Sequence, residues 1–111
     1  MTDYNNRRLS PRRRPKVRIR VVCRKGGLDL GPNVAESLLD VSEEGARLLL
    51  NQPLLVNQEV TVGLEGPNHR RPVLRIGVIV WSVPAAEGGY CVGVTFEKRL
   101  PYRDLLYLVQ I

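Results

Sequence analysis

Six short aliphatic runs, each bounded by clusters of Gly, Pro, Asn, Asp or Ser, constrain this 111-residue chain to a sheet whose strands double back on one another. The runs cover residues 17–24, 34–41, 45–50, 59–65, 73–83 and 90–96. Val17, Ile19 and Val21 alternate with Lys16, Arg18 and Arg20, and Val60, Val62 and Leu64 alternate in the fourth run. A period of two sends one set of side chains to each face, so these are half-buried strands. With one Phe, one Trp and four Tyr in the whole chain, the core must be built from Val, Leu and Ile, which favours strands over helices. A valine-rich sheet with open edges would pair with other chains. The pattern therefore predicts an all-β fold, a closed or nearly closed six-stranded antiparallel β-barrel.

The connections refine that reading. Gly77, inside the fifth run, marks a bulge or the sharp coil of a small barrel, and Trp81 is placed in or at the rim of the core. Arg47 reads as the solvent-facing member of the third strand. Leu54, Leu55 and Val56 form a short apolar connector, and His69 sits at an exposed loop tip. From Pro101 onward Leu105, Leu106, Leu108 and Val109 recur at spacings near three and four, so a short C-terminal helix closing the barrel is preferred to a final strand over 105–111.

Cys23 and Cys91 lie in strand-like runs without metal-ligand spacing and read as small buried residues of a reducing compartment. No run approaches a membrane span and the N-terminus lacks a signal-peptide core, so no membrane insertion and a cytoplasmic location are expected. With a single His, no nucleophile arrangement and no metal set, neither an enzyme nor a metal site is expected, and no cofactor.

Charge is divided unevenly. Residues 1–25 hold ten basic residues and one acidic residue, whereas the remainder is mildly acidic. Residues 1–16 lack periodicity and contain Pro11 and Pro15, so they read as a flexible, extended arm ahead of a single barrel domain over 17–111. Its bases are almost all arginine: Arg7, Arg8, Arg12, Arg13, Arg14, then Lys16. Guanidinium offers a planar fork to phosphate and a flat face to a base, where lysine offers a point charge. A basic arm on an acidic body docks on that body or holds an anion.

Asp40-Val41-Ser42-Glu43-Glu44-Gly45 joins the second and third runs and reads as their turn. Its chemistry complements the arm. A carboxylate accepts from a guanine edge, a hydroxyl donates to phosphate, and Gly45 lets a ligand come close to the backbone.

Arg8-x-x-x-Arg12, then Asp40-x-Ser42-x-x-Gly45, then a six-strand pattern ending in Gly93-Val94-Thr95-Phe96, resembles the PilZ domain, a bacterial receptor module for cyclic di-GMP. The resemblance runs from about Arg7 to the C-terminal helix. It implies a split-barrel type of fold whose arm wraps over cyclic di-GMP, often an intercalated pair. By that resemblance Arg8 and Arg12 would engage phosphates and stack on guanines. Asp40, Ser42 and Gly45 would line the barrel side, with Arg7, Arg13 and Arg14 as further contacts. Arg14-x-x-x-Arg18 fits the same spacing; Arg8 and Arg12 are preferred because Arg18 falls within the alternating first run. Binding would order the arm and change what the domain presents to a protein partner, as a monomer or a ligand-dependent dimer.

Two other readings compete. A small nucleic-acid-binding barrel would use the basic arm, but single-strand binders stack bases on exposed rings and this chain has few, which disfavours specific nucleic-acid binding. A nucleotide-independent adaptor of the same fold would bind protein alone.

Overall fold

The computed structural model describes residues 11–16, 18–67 and 69–109. Six strands, β1 (Arg20–Lys25), β2 (Ala35–Val41), β3 (Gly45–Leu50), β4 (Glu59–Glu65), β5 (Val73–Pro84) and β6 (Tyr90–Phe96), precede one helix, α1 (Tyr102–Leu108). Every pairing is antiparallel, in the order β1-β4-β5-β6-β3-β2. The two outer strands meet at a seam made by one side chain. Asn33 Oδ1 accepts the amides of Cys23 at 2.8 Å and Ala35 at 2.9 Å, while Nδ2 donates to the Val21 carbonyl at 3.4 Å. The Val34 amide adds a bond to the Cys23 carbonyl. The sheet is thus a nearly closed barrel, and its outer backbone groups find partners across the seam.

The interior is aliphatic, as the shortage of rings requires. Leu48, Leu50, Val60, Val62, Leu64, Ile79, Val92 and Val94 are at most 1% exposed, and Phe96, the one Phe of the chain, is buried beside them at 6%. The helix adds Leu105 and Leu108, three residues apart and so on one face. Pro101, at φ −60°, precedes its first turn, and Asp104 in that turn suits the positive end of the helix dipole. A helix here rules out the final strand over 105–111. Among the described residues of that segment, Val109 alone keeps extended pairing, as an isolated bridge to Pro15.

Several expectations require correction. The first strand begins at Arg20, not at residue 17, because Arg18 adopts φ 71° in a turn and breaks the extended backbone. In the fifth strand the register irregularity falls between Ile79 and Trp81 rather than at Gly77. Of the connector after β3, Leu54 is buried while Leu55 and Val56 are exposed. Cys23 is fully buried, and burial pushes its thiol up to about 11. Cys91 is only half-buried, its thiol also raised chiefly by burial.

His69 departs furthest from its expected exposure. Its side chain is 8% exposed; Nδ1 accepts the Gly66 amide at 2.9 Å, and the ring stands edge-on to Tyr107 with centroids 5.1 Å apart. His69 therefore ties the β4–β5 loop to α1.

Candidate functional site

Arg12 and Arg13 of the arm lie against the barrel where β2 ends. The Arg13 amide donates to the Val41 carbonyl at 2.9 Å, and the Val41 amide returns the bond at 3.0 Å. Next to that bridge the Arg12 side chain reaches diagonally to Asp40, whose Oδ1 accepts from an Arg12 terminal nitrogen at 3.1 Å. The other carboxylate oxygen, Oδ2, accepts from Arg47 Nε at 2.6 Å and from a terminal nitrogen of the same guanidinium. Asp40 and Arg12 are nearly buried, with side chains 8% and 11% exposed, and Arg47 is 43% exposed. An acid removed from water to this degree needs countercharge, and two arginines supply it.

Local structure explains the positions. A register shift between Leu38 and Asp40 leaves Asp40 opposite Arg47 and Val41 opposite Ala46. Asp40 and Val41 thus still belong to β2 and Gly45 already belongs to β3, so the turn is shorter than the hexapeptide and spans only residues 42–44. Ser42 shapes it: its amide donates to the Gly45 carbonyl at 2.8 Å, and its Oγ accepts the Glu44 amide at 3.2 Å. Ser42 is buried, and its hydroxyl serves as an acceptor within the turn. Gly45 answers a packing demand, because a Cβ at this position would strike the Val94 carbonyl oxygen of β6.

Arg47 is the residue that sequence reasoning set aside as merely solvent-facing. Its neighbour in β6 is Gly93, and beyond Gly93 in β5 is Trp81. Gly93 lies between the core residues Val92 and Val94 and therefore faces outward. Trp81 is half-buried against that bare backbone: a Cβ on Gly93 would collide with the indole. Trp81 thus packs on the outer face, in a row with Arg47, and not in the core.

The other candidate arginines are distributed as follows. Arg13 is half-buried beside Val41, Arg14 is exposed, and Arg18 is exposed in the turn before β1. Arg7 and Arg8 lie outside the described residues. Among the described residues no three of His, Cys, Asp and Glu gather closely enough to hold a metal ion, and no helix is long and apolar enough to cross a membrane.

A conserved architecture accounts for the arm, the turn and the barrel together: the family model of the PilZ domain matches residues 6–110. The chain belongs to the PilZ domain family. No curated protein and no solved structure matches it significantly. PilZ domains are receptor modules without catalytic function, in line with the expectation that this chain is not an enzyme. In this PilZ domain residues 12–16 of the arm are docked, and the Arg12 side chain rests on the acid of the second motif half.

Proposed function

We propose that this PilZ domain is a receptor for cyclic di-GMP, with Arg8 and Arg12 on the ligand phosphates and guanine faces and with Asp40, Ser42 and Gly45 on the barrel side. The observation that carries the reading is the meeting of Arg12 with Asp40 across 28 residues of chain, with an arm bridged to Val41 immediately beside the pair. Arg12 bound to a carboxylate is an arginine already oriented for an anion. A phosphodiester offers the same fork two acceptor oxygens, where Asp40 gives Arg12 only Oδ1. Asp40 accepts only, so a guanine edge, which presents adjacent donors, matches it once Arg12 has moved. Arg7, Arg13 and Arg14 add positive potential along the same arm. Ligand binding would then change how residues 11–16 lie on the barrel and what surface a protein partner meets.

Calorimetric titration of the full chain with cyclic di-GMP tests this. Micromolar or tighter binding is expected, with Arg12→Ala weakening it by about tenfold or more, since charge-assisted hydrogen bonds contribute roughly 1.5–3 kcal/mol. An RNA of matched phosphate count should bind more weakly and fade steeply with salt. No heat with cyclic di-GMP would sink the proposal.

A further inference from the structure

We infer that Arg47 is a positioning residue of this site: it keeps Asp40 paired when Arg12 departs, and so sets how readily the arm releases to a ligand. The inference takes its ligand from the cyclic di-GMP reading, but its electrostatics stand on the geometry of the unliganded corner.

Three charged groups meet there. Arg12 takes Oδ1 of Asp40, and Arg47 takes Oδ2 through two nitrogens, so the cations divide the carboxylate between them. Those three side chains together carry one net positive charge. Two guanidinium groups on the same carboxylate repel each other, and each loosens the other's hold on it. When Arg12 leaves, Asp40 and Arg47 remain as a neutral, hydrogen-bonded pair. Without Arg47 the same departure would strand a nearly buried carboxylate with no countercharge, which is the costlier arrangement. Arg47 therefore makes Arg12 exchangeable.

The fold keeps Arg47 where this role needs it. Cross-strand register sets it directly opposite Asp40, and its neighbour on the other side, Gly93, brings no side chain to crowd the guanidinium. Arg47 is also the most exposed of the three, so it loses least hydration by holding its place. Arginine matters as well as charge, because two nitrogens reach the same oxygen.

The test uses the full chain and two readouts. In ligand-free protein, hydrogen exchange at the Arg13 and Val41 amides reports the bridge that holds the arm. Arg47→Ala should slow that exchange severalfold, because Arg12 becomes the sole cation on Asp40 and grips harder. In calorimetry with cyclic di-GMP, Arg47→Ala should bind at least tenfold more weakly than the unmodified chain, and Arg47→Lys, which keeps the charge but only one nitrogen, should recover part of the loss. Exchange that is unchanged or faster in Arg47→Ala overturns the inference, and so does unchanged affinity. Should Arg47→Ala fail to fold, Arg47→Gln removes the charge at similar length and is expected to give the same slowing and loss. If the unmodified chain binds no cyclic di-GMP, the ligand reading fails, and the exchange experiment still decides the part played by Arg47.

Discussion

Two polar side chains, Asp40 and His69, each fasten a terminal segment to the barrel, and they do so by opposite means. Asp40 holds the arm through charge, with Arg12 on one oxygen and Arg47 on the other. His69 holds α1 by shape: Nδ1 accepts the Gly66 amide within its own loop and so fixes the ring, the ring meets Tyr107 edge-on, and Nε2 stays 3.8 Å from Asp104, beyond hydrogen-bond distance. A charged fastening can be traded for another ion that offers the same partner. A packed ring has nothing to be traded for. If the proposed ligand reading holds, the Asp40 corner is the one that switches and the His69 corner the one that stays.

The widest separation between the two corners is expected in ligand affinity. Asp40→Ala should weaken cyclic di-GMP binding by about 2 kcal/mol or more, roughly thirtyfold, because it removes an ionised acceptor and leaves two arginines facing each other. His69→Ala should leave the dissociation constant within about twofold. Equal losses in calorimetry would erase the distinction.

The next effect is on stability and runs the other way. His69→Ala strips the acceptor from the Gly66 amide and the contact from Tyr107, and should lower the unfolding free energy by about 1–2 kcal/mol in urea. Faster amide exchange in α1 should accompany the loss. A His69→Ala variant as stable as the parent would show that the ring only fills space.

The smallest effect is expected at a third cation, which calibrates the first. Arg99 reaches Glu43 at 3.4 Å and Glu44 at 3.2 Å, close in sequence to Asp40, but its side chain is 53% exposed. Arg99→Ala should change stability by less than about 0.5 kcal/mol, less still in high salt. A larger change would mean that burial is not what distinguishes the Asp40 pairs.

The strands were legible because burial on one face imposes period two; the bounds of β3, β4 and β6 agree with the apolar runs that announce them. The Arg12–Asp40 meeting followed from a resemblance, and chain spacing alone would not have supplied it. Nor was Arg47 reachable by counting: outward from a turn over 42–44, Val41 would meet Gly45 and Asp40 would meet Ala46, whereas the register sets Val41 against Ala46 and Asp40 against Arg47. Arg18 misled because alternation continues through residues 16–21 while its backbone turns left-handed. His69 misled for a different reason. Its loop composition signals exposure, and the helix that covers it lies more than thirty residues further along, beyond any local pattern.

The stretch from Arg13 to Lys16 touches both β2 and the far end of the chain. Arg13 exchanges two hydrogen bonds with Val41, Pro15 bridges Val109, and the Lys16 amide donates to the Leu108 carbonyl at 2.8 Å. Four consecutive residues thus work as a zipper with teeth on both sides. On the proposed reading, a ligand that drew this stretch away at Arg12 would also free the Leu108 carbonyl and Val109 at the end of α1, and the event would be felt at the helix without a single barrel strand having to shift.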